Sequence, residues 1–275
     1  MLSKQNKYIL FYVVIFCSLA LNTVSFAAES REICVSAAAS LKNVMEAIGK
    51  KFEEKNHGEK ITFNFGASGA LLNQIIGGAP VDIFFSADIR DFGKLGERKS
   101  RFLGTQMKFK SLLVTGYPKP FVRNQLVFII PGGSQLSPQS LADLKKKEWE
   151  KIAVGNPKTV PAGRYAAETI KAENLTETLK DRLVLCETVR QVLDYVIRGE
   201  VEGGFVYQTD ANTAKQGEIK QVFVIPPEKH SPIVYGLGIM IATSNADLAE
   251  KFLAFIAQPE CQEIVTAAGF LLPEK

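Results

Sequence analysis

Short apolar segments that end in a turn of small residues and continue at once as a helix recur along this chain. Ile33-Cys34-Val35 reads as a strand, and Ala37-Ala38-Ala39-Ser40 follows it. Leu41, Val44, Met45, Ile48 and Phe52 then fall at helical spacing on one face. Ile61 to Phe65 alternates as a strand does, Gly66-Ala67-Ser68-Gly69 follows, and Leu71, Leu72, Ile75 and Ile76 begin a second helical face. Val81 to Phe85 is a third strand. The resulting β-α-β-α-β order implies a mostly parallel sheet covered by helices.

A second unit starts with a strand over Gln125 to Ile130. Ser140 to Trp149 is predicted to be helical, and Ile152-Ala153-Val154 returns as a strand. Val160-Pro161-Ala162-Gly163 opens another helix, with proline suited to its first turn. Thr188 can cap the next one, whose Val189, Val192, Leu193, Val196 and Ile197 share a face before Gly199 ends it. Gly204 to Tyr207 is a strand running into a loop. A strand over Ile233 to Ile241 and a helix opened by Ser244 or Asn245, carrying Leu248, Phe252, Phe255 and Ile256, close the chain. They could return to complete the first unit. The length of 275 residues suits roughly two domains at about 150 residues each.

The N-terminus reads as a secretory signal. Lys4 and Lys7 form a basic head, Tyr8 to Ala20 is apolar, and Ser25-Phe26-Ala27 predicts cleavage after Ala27. The apolar stretch is too short for a comfortable transmembrane helix. Lipid attachment at Cys17 is the alternative, although Phe16 is bulky where a small residue is wanted. Without the two lysines, 31 basic residues face 29 acidic ones. That balance lacks the basic excess with which nucleic-acid binders neutralise phosphates, so no nucleic-acid partner is expected. Lys145-Lys146-Lys147 reads as the solvated face of a helix. Cys34, Cys186 and Cys261 are an odd set in apolar segments, expected to be buried small hydrophobes. His57 and His230 lie in polar stretches, no Cys/His cluster has metal-ligand spacing, and no zinc site is expected.

Four helices are predicted to begin where a strand has just ended: at Ser40, at Ser68, near Ala162 and near Val189. The first turn of a helix holds N–H groups with no intrahelical partner, and the helix dipole adds partial positive charge there. Several such ends in one cleft would hold an anion without lysine or arginine. Taken singly, Ser40 and Thr188 read first as caps, and Gly66 and Gly69 could serve only a tight turn. Tyr165 is expected to pack within its lobe, Trp149 to be a partly buried anchor, and Arg190 to lie near the cleft or in a surface ion pair.

Six motifs bear on the choice. Ala-Ala-Ser-Leu at 38 to 41, Gly-Ala-Ser-Gly at 66 to 69, Asp-Ile-Phe-Phe-Ser-Ala-Asp at 82 to 88, Gly-Asn-Pro at 155 to 157, Val-Pro-Ala-Gly-Arg-Tyr-Ala at 160 to 166 and Val-Tyr-Gln-Thr-Asp-Ala at 206 to 211 resemble, in the same order, the periplasmic molybdate-binding proteins of ABC importers. The resemblance covers nearly all of the exported chain. It implies an α/β two-lobed periplasmic-binding-protein fold of type II, each lobe a mostly parallel sheet flanked by helices, with the ligand cleft between lobes. The implied division is a signal peptide over 1–27, first lobe over 28–117, second lobe over 118–230, and a return to the first over 231–275.

The resemblance also implies the site. Ser40 and Ser68 would offer hydroxyl and amide donors, Ala162 and Val189 backbone N–H groups, and Tyr207 its phenol. They would hold molybdate or tungstate through its oxygens, with no direct metal ligand, no catalytic residue and no cofactor. Thr188 stands where the family often has an acidic residue before this valine, and Thr-Val-Arg at 188 to 190 keeps the rest of the pattern. The implied protein is a periplasmic monomer, not an enzyme, that delivers its anion to an inner-membrane ABC permease with a cytoplasmic ATPase. Sulfate or another tetrahedral oxyanion is the alternative ligand. An exported ester hydrolase using Ser40 or Ser68 would need a base or metal that the sequence does not offer.

Overall fold

The computed structural model describes residues 31–96, 98–102 and 105–274. The predicted signal segment and Cys17 lie outside the described residues. The first sheet opens with β1 (Arg31–Ala38), β2 (Glu59–Gly66) and β3 (Ile83–Ser86), paired in parallel and joined through α1 (Lys42–Lys55) and α2 (Ser68–Ile76). A hairpin of β4 (Arg98–Phe102) and β5 (Thr105–Phe109) precedes β6 (Lys119–Arg123).

The second sheet holds β7 (Leu126–Pro131), β8 (Ile152–Gly155), β9 (Leu183–Cys186), β10 (Gly203–Tyr207) and β11 (Ile219–Val224). Between β8 and β9 run α3 (Pro161–Ala172) and α4 (Thr176–Leu179); α5 (Val189–Ile197) precedes β10, and α6 (Gln208–Ala211) follows it. The chain returns through β12 (Val234–Ile239) and ends with α7 (Ala246–Ile256) and α8 (Pro259–Ala267).

Strand order is β2-β1-β3-β12-β6 in one sheet and β11-β7-β10-β8-β9 in the other. β12 runs antiparallel to β3 and β6, and β7 antiparallel to β10 and β11. β3 and β10 are buried along their whole length, and β7 along all but its last residue, because helices or loops cover both faces. Each of the four buried apolar side chains of α5, Val189, Val192, Leu193 and Val196, contributes about 1.5–3 kcal/mol.

Two expectations need correction. The chain was expected to leave the first lobe at 118, but β6 belongs to the first sheet and the crossing falls after Arg123. The reason is packing: Val122 is fully buried, and β6 covers the edge that β12 would otherwise expose. The return lies between Val224 and Val234. The helix predicted over Ser140–Trp149 is reduced to a 3-10 turn over Leu141–Lys145, started by a capping box between Ser140 and Asp143. Only Leu141 and Leu144 are buried in it, too little packing to sustain a longer helix. Trp149 then enters the core edge-on to Phe128, fully buried rather than partly so.

Candidate functional site

The four predicted helix starts lie at the carboxyl ends of strands, two in each lobe. Ser40 follows β1 inside a 3-10 turn (Ala39–Leu41) that runs directly into α1, and Ser68 is the first residue of α2 after β2. Ala162 is the second residue of α3 after β8, and Val189 is the first of α5 after β9. Ala38, Ala67 and Val160 occupy the N-cap positions of the first three and provide no side-chain cap. The first-turn N–H groups therefore lack a side-chain acceptor, and that of Gly69 donates instead to Thr159 O. Only Thr188 caps, accepting from Gln191 N at 3.1 Å, a bond that leaves the amides of Val189 and Arg190 free of it. Of the two residues for which capping was the alternative, Thr188 is a cap and Ser40 is not.

These starts converge. Ser40, Ser68, Ala162, Val189 and Tyr207 line one small cavity of about 10 Å³ between the lobes, and none of its twelve lining residues is charged. Its small size excludes the larger organic ligands, which occupy about 300 Å³ upward. Larger hollows lie elsewhere, between β6 and α7 and beside the crossings, without convergent helix ends.

Three hydroxyls, of Ser40, Ser68 and Tyr207, also line it. Ser68 Oγ accepts from Ala87 N at 3.0 Å, and Ser40 Oγ lies 2.9 Å from Tyr235 Oη. Tyr207 is fully buried and its Oη has no partner. Burial pushes its phenol well above the ordinary value of 10, so the group stays protonated and can donate. An unpartnered buried hydroxyl is costly, and an anion in the cavity would satisfy it.

Beside the cavity, charged groups join the lobes. Arg164 of α3 reaches Asp91 at 2.9 Å and Asp88 at 3.1 Å, both buried in the loop after β3. Arg90 pairs with Asp88 at 2.8 Å and with Glu168 of α3 at 3.2 Å, and lies over the Tyr165 ring at 5.3 Å. Gly69 N donates to Thr159 O across the cleft at 2.8 Å. A Cβ on Gly69 would meet the Thr159 backbone at 2.8 Å, so glycine is required by the approach of the lobes and not only by a turn.

The remaining candidates take other places. Tyr165 packs against Tyr207 and is buried in its lobe, as expected. Arg190 pairs with the fully buried Asp210 at 2.5 Å, apart from the cavity lining. Cys186 and Cys261 are buried and unbridged, but Cys34 is only half-buried. His57 is exposed in a turn, whereas His230 is half-buried. Among the described residues no group of acidic, His or Cys side chains could hold a metal ion.

Sequence reasoning missed Tyr235, Asn124, Ala87 and the ionic groups. Asp88 and Arg164 stood inside quoted motifs, where two buried charges of opposite sign were a usable signal. Nothing local marked Tyr235.

The sequence pattern of bacterial extracellular solute-binding proteins matches residues 33–271. The chain belongs to this family. This solute-binding protein is 37% identical to the putative ABC transporter substrate-binding lipoprotein YvgL of Bacillus subtilis, over 86% of this chain and 85% of that one. It is 34% identical to the molybdate-binding protein ModA of Haemophilus influenzae, over 90% and 92% of the two chains. Among solved structures it resembles the substrate-binding domain of a putative molybdenum ABC transporter from Clostridium difficile, with a TM-score of 0.65, 37% identity, and coverage of 89% of this chain and all of that one. The two-lobed α/β fold is that of extracellular solute receptors.

Proposed function

We propose that this receptor captures molybdate or tungstate in the cavity between its lobes and delivers it to an ABC permease driven by a cytoplasmic ATPase. Ser40 and Ser68 donate from the first lobe; the amides of Ala162 and Val189 and the Tyr207 phenol donate from the second. The observation that carries this reading is the convergence of uncapped helix starts from both lobes on an uncharged cavity that also holds the unpartnered Tyr207 Oη. Every proposed group is a donor, and a fully ionised tetrahedral anion presents only acceptors. The H. influenzae and C. difficile relatives, named for molybdate and molybdenum, support the same ligand class.

Closure supplies the affinity. The anion touches both lobes only when they meet, so ligand shifts the population toward the closed form. Export by cleavage after Ala27 accompanies this reading; the intact mass of the secreted protein separates it from lipidation at Cys17.

Calorimetric titration with molybdate, tungstate and sulfate, followed by elemental analysis of the captured ligand, tests the proposal. Tight binding of the two metalates with weaker sulfate is expected. Sulfate binding more tightly than molybdate would transfer the site to the runner-up ligand, and no binding of any oxyanion would end the reading.

A further inference from the structure

The two serines could in principle either donate to a ligand or accept from it, since a hydroxyl does both. A chain of bonds beginning at a backbone amide removes that freedom at Ser40. Gln125 N–H can only donate, and it donates to Asn124 Oδ1 at 2.9 Å. The Asn124 amide nitrogen therefore faces the other way, giving one hydrogen to Thr209 Oγ1 at 2.8 Å and one to Tyr235 Oη at 3.3 Å. Tyr235 is fully buried, and its hydroxyl keeps a hydrogen for which Ser40 Oγ, at 2.9 Å, is the acceptor among the described residues. Ser40 is thus occupied as an acceptor, and its own hydrogen is left for the cavity.

Ser68 has the same polarity by a shorter route, because the Ala87 amide donates to its oxygen. Tyr207 Oη has no acceptor at all. The two serine hydroxyls thus have hydrogens to present to the cavity, and the Tyr207 hydrogen is not claimed by any group of the protein among the described residues.

We propose that Tyr235 and Asn124 are positioning residues that hold Ser40 as a donor, and thereby make the site reject an oxyanion that carries a proton. A hydrogen phosphate would bring its O–H against hydrogens already pointing inward; molybdate, tungstate or sulfate brings only acceptors. The inference rests on the oxyanion reading above and adds what sets its selectivity. It spans the hinge: Asn124 lies where the chain first crosses between lobes, and Tyr235 where it has just returned.

The test compares wild type, Tyr235→Phe and Asn124→Ala at neutral pH, with sodium molybdate titrated directly and inorganic phosphate measured by competition. Circular dichroism checks folding. Tyr235→Phe frees the Ser40 hydroxyl to turn, so molybdate should weaken about tenfold and its preference over phosphate should narrow by about tenfold. Asn124→Ala should act in the same direction by about threefold, and it carries the test if the phenylalanine variant fails to fold. Both variants keeping the wild-type ratio, including equal weakening of both anions, overturns the inference and leaves the oxyanion reading intact. If wild type prefers sulfate, the molybdate assignment fails and the same ratio is read with sulfate. If it binds no oxyanion, both fall.

Discussion

The cleft joins the lobes in two adjacent zones built on opposite principles. One is the cavity, where neutral hydroxyls and amides from Ser40, Ser68, Ala162, Val189 and Tyr207 meet. The other is an ionic clasp, where Asp88, Arg90 and Asp91 of the first lobe meet Arg164 and Glu168 of the second. Both zones use the same two segments, the turn after β3 and the start of α3. The difference lies in who supplies the charge. In the clasp each buried ion finds its counter-ion within the protein as the lobes meet. In the cavity, on the proposed reading, the ligand would bring the charge and dipoles would receive it. A fixed cation there would attract anions of every shape; dipoles at set positions discriminate by where the oxygens fall.

Removing one ion from the clasp should have the largest effect. Arg164→Ala leaves Asp88 and Asp91 buried in the closed form, Asp88 with Arg90 and Asp91 with only the Ser86 hydroxyl as partner. In the open form water can reach them. The closed state should lose about 3 kcal/mol, seen as roughly a hundredfold weaker apparent affinity. Because the cavity is untouched, the preference for molybdate over sulfate should stay as in wild type. A changed preference would break the separation of the two zones.

Removing one donor from the cavity should cost less and act differently. Ser68→Ala or Tyr207→Phe deletes a hydrogen bond to a charged ligand, expected to weaken binding about tenfold, with melting temperature near wild type. Calorimetry in low and high salt sharpens the contrast. The clasp variant should change the salt dependence of binding and the hydroxyl variants should leave it alone. Unchanged affinity in both hydroxyl variants would remove these residues from the site.

The smallest effect concerns Asp210, a buried acid outside both zones. Burial pushes its carboxyl up from 3.8 to about 6, against the opposing pull of Arg190. A raised folded-state value means that the native protein retains a proton the unfolded chain has released. The associated stability is present below about pH 4 and is lost as pH rises through about 6. Asp210→Asn cannot titrate, so its melting temperature should gain on wild type by about 5 °C between pH 4 and pH 7. Parallel melting curves across that range would contradict the shift.

Much of this was legible from local pattern. The change from strand to helical spacing located β1, α1, β2 and α2, and the small residues at Ser40, Ser68 and Ala162 marked the helix starts that line the cavity. Such signals are local because a helix start is fixed by a few neighbouring residues. The failures were of another kind. Ser140–Trp149 carried a helical pattern but too few buried contacts to keep it, and β6 was invisible because its partner β12 lies more than a hundred residues away.

By itself, the sequence determined that strands would break into uncapped helix ends, since Ala38, Ala67 and Val160 have no side chain able to satisfy the amides that follow. Only the tertiary structure decided that those ends meet, that Arg164 finds Asp88 and Asp91 across the cleft, and that Tyr235 comes within hydrogen-bond distance of Ser40. The physical reason is range. Backbone geometry and capping act over a few residues, whereas the direction of one buried hydrogen bond depends on partners brought together from four distant parts of the chain.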